Sequence, residues 1–465
     1  MIRKFVNRTT ELTFLQQWHE QPGSKLVIIY GRRRIGKTEL LKQFLQDKDH
    51  VFFLADKRGT DRNVRRLADQ LGKVFGDIPP RASSFDDIFE HIKVRRGEQP
   101  FVVVIDEFPY LVERDDAIPS VFQLICDEVL PDTRVSLIIL GSSIQMMEQL
   151  LSEKSPLYGR QTGMLKIKPF GIVEAHMMFP SDNLADLVHK YGFFGGSPFY
   201  LSLLDPHKGL MDNTTELVLL RSGRLFEEVE YLLREELREP ILYKMILEAM
   251  AFGHTTVTTI ANYVGVNAKD LSSYLRSLVD LHLIRKEKPV LAPPNSKTTR
   301  YYLADNFFIF WFYFVQPNLM AVEVGNLTPV LELLKDSTDY IGRFVFEQVC
   351  AQFVTELNRR GQLPFMPQVL GRWWHKETEV DLVGLNKQSQ DILLIECKWR
   401  EQVKGRKILH QLERKAQAIP WKRESWSEHY MIIAKSFADK PPKNCRYFDL
   451  EDLTQVFFNH QPDQH

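Results

Sequence analysis

A chain of 465 residues is too long for one hydrophobic core, so two to four domains are expected. Its apolar share of 44% and charged share of 26% are ordinary for a globular protein. The formal net charge is zero, so no global field draws the chain to nucleic acid or membrane, and such binding needs a local patch. Cys126, Cys350, Cys397 and Cys445 show no paired spacing, which predicts reduced thiols, no zinc site and a cytoplasmic location. Met1-Ile2-Arg3-Lys4 is not followed by an apolar stretch and predicts no signal peptide. The greasiest run, Phe307 to Val315, falls far short of the ~20 residues of a membrane span. It predicts a buried aromatic segment and no membrane partner.

The chain opens with short apolar runs alternating with helical patterns. Lys25 to Tyr30, Val51 to Leu54, Phe101 to Ile105 and Val135 to Leu140 read as buried strands. Thr38 to Gln46 and Asp61 to Val74 read as helices. This alternation predicts an α/β domain over residues 1–170, with a parallel sheet and helices on both faces. Residues 171–239 read as a helical lid without strand signals. Residues 240–329 read as a winged helix-turn-helix and linker. Thr255-Thr256 caps a helix over Thr258 to Val264, and Asn267 caps the next, Ala268 to Leu283. Extended segments Ile284 to Leu291 and Thr298 to Leu303 follow, joined by a Pro-Pro-Asn turn. A last α/β domain spans 330–465. Its helices are Tyr340 to Arg359 and Lys407 to Ala418. Its strands are Phe365 to Val369, Glu379 to Leu385, Asp391 to Lys398 and His429 to Ala434.

Gly31-Arg32-Arg33-Arg34-Ile35-Gly36-Lys37-Thr38 follows a strand and opens a helix, the context in which G-x-x-x-x-G-K-T is credible as a P-loop. The glycines let backbone N–H groups curl round phosphates, and the helix N-terminus adds its dipole. Lys37 is expected on the β- and γ-phosphates of ATP, and the Thr38 hydroxyl on Mg²⁺. Val102-Val103-Val104-Ile105-Asp106-Glu107 ends an apolar strand on an acidic pair, as Walker B does. Asp106 is expected to hold Mg²⁺ and Glu107 to polarise the attacking water. Gly141-Ser142-Ser143 ends another strand. Ser142 and Ser143 are both candidates to sense the γ-phosphate.

These segments, with Phe5-Val6-Asn7-Arg8, Glu11-Leu12 and Ser155-Pro156-Leu157-Tyr158-Gly159-Arg160, resemble the archaeal-type ATPase family, close to the AAA+ and STAND ATPases. The resemblance runs over nearly the whole chain. It implies that Phe5 and Arg8 cup the adenine and that Arg160 senses the γ-phosphate, on its own or on a neighbouring chain of a homo-oligomer. Gly195-Gly196-Ser197-Pro198 resembles the Gly-x-Pro element of STAND helical domains, which places Pro198 by the base or ribose.

In the winged-helix segment Lys269, Arg276, Arg285 and Lys286 are candidates for phosphate contact, although the second helix is heavily apolar. In the last domain Glu379-Val380-Asp381 and Ile395-Glu396-Cys397-Lys398 lie on consecutive strand patterns. Two carboxylates can bind a divalent ion, and a nearby lysine can steer water or phosphate. The order resembles the PD-(D/E)xK nuclease fold, with Val380 where that name has proline. The resemblance adds Glu347 as a metal ligand from the preceding helix and Gln411 as a recurrent polar position. Arg400, Lys404, Arg406, Lys407, Arg414, Lys415, Lys422 and Arg423 form a basic run suited to a phosphate backbone. The expected activity is ATP hydrolysis coupled to DNA binding or Mg²⁺-dependent DNA cleavage. The alternative is a nucleotide-gated signalling or scaffold switch with an inactive nuclease-like domain.

Overall fold

The computed structural model describes residues 5–131, 133–237, 240–293, 296, 298–420 and 425–458. The expectations for Met1 to Lys4, Glu239, the Pro294-Asn295 part of the turn, Lys422 and Arg423 fall outside the described residues. Two compact units form. One holds the chain up to Pro169 with Ser197–Phe199 and Asp280–His282, and the other holds Phe170–Gly196, Tyr200–Val279 and the chain from Leu283. No helix among the described residues is long and apolar enough to cross a membrane.

The first unit is a five-stranded parallel sheet of β1 (Lys25–Tyr30), β2 (His50–Leu54), β3 (Phe101–Asp106), β4 (Val135–Gly141) and β5 (Gly163–Lys166), in the order β2-β3-β4-β1-β5. Every residue of β1, β3 and β4 is buried, because helices cover both faces, and so these strands are unbroken apolar runs. One face packs α1 (Thr9–Glu20) through Leu15 and Trp18, and α2 (Lys37–Phe44) through Leu40, Leu41 and Phe44. The other face packs α3 (Thr60–Phe75) and α4 (Phe85–Arg96). Strand order carries the function. β4 lies between β1 and β3, so the loops leaving all three strands meet at their carboxyl ends, where open α/β sheets bind ligands.

In the second unit the helices Val257–Val264 and Ala268–Asp280 precede an antiparallel hairpin of β6 (Ile284–Glu287) and β7 (Arg300–Leu303). Thr256 caps the first helix by accepting the N–H of Thr259. Phe307, Phe308, Ile309, Phe310, Trp311 and Phe312 are all buried, so the greasy run is core. A second five-stranded sheet has β8 (Val369–His375), β9 (Thr378–Asn386), β10 (Asp391–Lys398), β11 (Ser427–Ala434) and β12 (Cys445–Phe448), in the order β12-β11-β10-β9-β8. β8, β9 and β10 run antiparallel in sequence, and β11 and β12 run parallel to β10. The helix Phe346–Arg359 and the helix Gly405–Ala416 pack on it.

Several expected elements are corrected. The strand expected over Phe365 to Val369 starts at Val369, because Pro364 and Pro367 have no N–H for a ladder. The helix Ala268–Asp280 stops short of Leu283. Within residues 171–239, read as helical throughout, the helix Leu184–Phe194 ends at Gly195, whose φ of +68° suits glycine. α4 was not expected from the sequence, although Ser84 and Asp87 form its capping box.

Candidate functional site

The phosphate loop is shaped by positive-φ backbone: Arg34 at +70° and Gly36 at +84°. Gly31 must lack a side chain, since a Cβ there would lie 2.4 Å from the Ile167 carbonyl oxygen. Successive N–H groups in such a turn form a concave anion seat. Lys37 is buried, and its Nζ donates to the carbonyls of Gly31 at 2.7 Å and Arg32 at 3.0 Å. The ammonium is thus held across the mouth of the loop. Thr38 Oγ1 donates to Asp106 at 3.2 Å, so the hydroxyl and the Walker B carboxylate face one point. Burial, then the charge of Glu107, raises the Asp106 carboxyl, against the pull of Lys37 and Thr38. A divalent cation relieves that repulsion, and this pair of oxygen donors fits Mg²⁺ beside a phosphate.

Glu107 sits at a left-handed φ of +54°, and both its carboxylate oxygens lie 2.8 Å from the hydroxyl of Ser142. Of the two serines, Ser142 is the one brought to Glu107. Ser143 is the N-cap residue of the helix Ile144–Leu150.

Arg8 is buried, and its guanidinium donates to Glu11 at 2.9 Å, the Ile35 carbonyl at 3.2 Å and the Lys168 carbonyl at 2.7 Å. It therefore ties the phosphate loop to the chain leaving β5. Phe5 packs on the core with Leu15 and Trp18. Ser197 Oγ donates to the Arg34 carbonyl at 2.9 Å, and the Arg34 guanidinium lies 4.4 Å from the Phe199 ring centroid. Pro198 stands beside Gly36, 3.9 Å from where its Cβ would be. The tripeptide Ser197–Phe199 thus braces the loop. Tyr110, missed in the sequence, accepts from Arg33 at 3.1 Å; its only signal was Pro109, which opens a helical turn just after Walker B.

Arg160 lies elsewhere. Its fork grips Asp127 with bonds of 2.8–2.9 Å. It precedes β5, whose Gly163 pairs with Val27 near the amino end of β1, whereas the phosphate loop leaves the carboxyl end after Tyr30. Three strand residues, roughly 10 Å, separate the two levels. The expectation that Arg160 reads a γ-phosphate within its own chain is corrected by this register.

In the second unit β9 and β10 bring Asp381 beside the end of β10. Its Oδ2 accepts the Cys397 N–H at 2.8 Å. Lys398 Nζ lies 2.7 Å from Glu396 and 3.7 Å from Asp381, so the two carboxylates converge on one ammonium. Glu396 is buried, and Lys415 grips both its oxygens at 2.7–2.8 Å. Burial, then Glu396, raises the Asp381 carboxyl, while Lys398 pulls it down. Cys397 points to the opposite, packed face with Leu393 and Ile395, as the period of two requires.

Glu347 lies close enough for the charge of Asp381 to raise its carboxyl, yet its side chain is engaged by another partner. It pairs with Arg372, and burial pushes its carboxyl up to about 8 against the pull of that guanidinium. Among the described residues no three His, Cys, Asp or Glu side chains gather to hold a metal. The expected three-acid set is therefore corrected to two carboxylates, Asp381 and Glu396, which still suit a cation that keeps several waters. Gln411, Arg400, Lys404, Arg406, Lys407 and Arg414 are exposed on this unit. Arg285 is held by Glu287 at 2.5 Å, whereas Lys269 and Arg276 are exposed.

A strand, a glycine-bearing loop closing on a helix, and an acidic pair two strands away define a P-loop ATPase. The comparisons agree. A model described as an ATPase domain predominantly from Archaea matches residues 5–204, and one for archaeal and bacterial proteins of unknown function matches residues 311–409. An uncharacterized protein of Methanocaldococcus jannaschii is 38% identical over 455 residues, covering 97% of this chain and 100% of the relative. An uncharacterized ATP-binding protein of the same organism is 52% identical over 44 residues, 10% of this chain and 75% of the relative. The Walker-type ATPase of Pyrococcus abyssi shares the fold at a TM-score of 0.50 and 21% identity, covering 66% of this chain and 96% of that one. Over nearly its full length the chain belongs with the 38%-identical Methanocaldococcus jannaschii protein, and its residues 5–204 match the archaeal ATPase domain.

Proposed function

We propose that the ATPase couples its nucleotide state to engagement of DNA by the second unit, with Asp381, Glu396 and Lys398 as a Mg²⁺-dependent nuclease site. The observation that carries this reading is the convergence of two carboxylates, buried Glu396 and partly buried Asp381, on one lysine at the end of β10. The order of these residues along the chain resembles the PD-(D/E)xK fold. Asp381 and Glu396 are the residues that hold the cation in this reading. When bound, the cation supplies Lewis-acid stabilisation of phosphoryl oxygens. Lys398 sets a positive charge beside the phosphate, and the exposed basic residues of Gly405–Ala416 track the backbone. The two helices and the hairpin are read as a winged helix that adds Lys269 and Arg276.

The test is plasmid cleavage by the full chain in Mg²⁺ and Mn²⁺, with and without ATP. Asp381→Ala and Glu396→Ala are expected to abolish cleavage and the metal-induced rise in melting temperature, while ATP turnover persists. A parent protein whose melting temperature ignores both metals contradicts the metal site.

A second reading has its own support. Lys415 satisfies both oxygens of Glu396, and Arg372 satisfies Glu347, without any cation. A nucleotide-gated switch with an inactive nuclease-like unit would show slow turnover and no DNA affinity in the same assays.

Arg160, held by Asp127 away from its own phosphate loop, is read as acting on a neighbouring chain of a homo-oligomer. Turnover per chain should then rise with protein concentration, and Arg160→Ala should lose that rise. Concentration-independent turnover rules the role out.

A further inference from the structure

The chain leaving β2 builds a basic cleft that the nucleotide site does not use. It encloses about 500 Å³ and is lined by Arg58, Thr60, Asp61, Arg62, Arg65 and Arg66. Arg62, Arg65 and Arg66 share one face of α3, since helical residues three and four apart are neighbours. Arg58 and Arg66 are held by the Asp56 carboxylate, which the Arg58 hydrogen bonds, and then the charges of both arginines, bring down to about 2. Arg62 and Arg65 are exposed, and no acid pairs with either among the described residues. Between Asp56 and Arg66 the cations Lys57, Arg58, Arg62, Arg65 and Arg66 outweigh the acids Asp56 and Asp61.

The cleft is stiff and is connected to both Walker elements. Buried Asn63 brackets the turn, accepting from Asp56 N at 3.0 Å and donating to the carbonyls of Asp56 at 2.9 Å and Gly59 at 2.8 Å. Leu54 pairs with Asp106, and the Ala55 N–H donates to the Asp106 carbonyl at 2.9 Å, so the cleft hangs from the Walker B strand. Lys57 lies 4.6 Å from the centroid of Tyr110, the residue that receives Arg33 of the phosphate loop. Thr60 Oγ1 donates to Asp115 at 3.2 Å, in the segment that follows Walker B.

We infer that this cleft binds the phosphate backbone of a nucleic acid and reports its occupancy to the ATPase site. An arginine fork matches phosphate oxygens in pairs, and two unpaired arginines one turn apart offer two such contacts side by side. An open cleft of this size suits a strand passing through it. The inference rests on the reading that the protein engages nucleic acid, and it names a contact surface on the ATPase unit.

The test compares the full-length parent with Arg62→Glu/Arg65→Glu, using anisotropy of labelled single- and double-stranded oligonucleotides at several salt concentrations. Both residues are exposed and outside the catalytic machinery, so basal turnover should be unchanged and certifies the fold. The double variant should bind about tenfold or more weakly, with a log–log salt slope smaller by about 2, and should lose stimulation of turnover by the oligonucleotide. A parent that binds while the double variant binds equally, with the same slope, overturns the cleft and leaves the proposed function standing. A parent that binds no oligonucleotide overturns both. Tighter binding of polyglutamate than of oligonucleotide overturns the assignment in favour of an acidic protein.

Discussion

Lys37→Ala is expected to lower ATP affinity by about 10²-fold or more, the loss that follows when one partner of a close, desolvated charge pair is truncated. The effect is large because the ammonium is already placed. Lys37 is buried and tethered to the carbonyls of Gly31 and Arg32, so it needs little reordering to meet the β- and γ-phosphates. Arg8, Ser197 and Phe199 hold the same loop from behind, through the carbonyls of Ile35 and Arg34. Titration with a labelled ATP analogue checks this, and parent-like affinity would remove Lys37 from the site.

Glu107→Gln is expected to separate binding from hydrolysis. An amide cannot accept the proton of the attacking water, and a positioned general base contributes about 10²–10⁴-fold in rate. ATP affinity should stay near that of the parent, because the contacts assigned to Lys37 and Thr38 are intact. The Ser142 hydroxyl lies equally close to both carboxylate oxygens, and one amide oxygen still accepts it. Turnover and equilibrium binding measured on one preparation test the split. A variant that hydrolyses ATP at the parent rate places the catalytic base elsewhere.

What the sequence disclosed, and what it did not, follows from how local each feature is. The phosphate loop was legible because strand, turn and helix are contiguous, and β1, β3 and β4 because burial on both faces leaves unbroken apolar runs, whereas the half-exposed β5 left no such signal. The choice between Ser142 and Ser143 depends on how the end of β4 meets the end of β3, which only the assembled sheet decides. The position of Arg160 is a matter of register between β1 and β5, invisible in a Tyr-Gly-Arg motif. Arg8, placed at the adenine only by resemblance, donates to nearby Glu11 and to the distant backbone carbonyls of Ile35 and Lys168, partners its local sequence does not reveal. In the second unit the strand acids were placed together correctly by the spacing of Asp381 and Glu396. The partners that neutralise the acids, Lys415 and Arg372, come from other elements, so the spacing gave no sign of them.

The most direct test of the coupling between ATP and DNA is the DNA affinity of the full-length Glu107→Gln chain, measured with Mg²⁺ in saturating ATP and without nucleotide. The coupling predicts affinities that differ about 5-fold or more, the lower end of typical linkage between two sites. Equal affinities in the two states would contradict it.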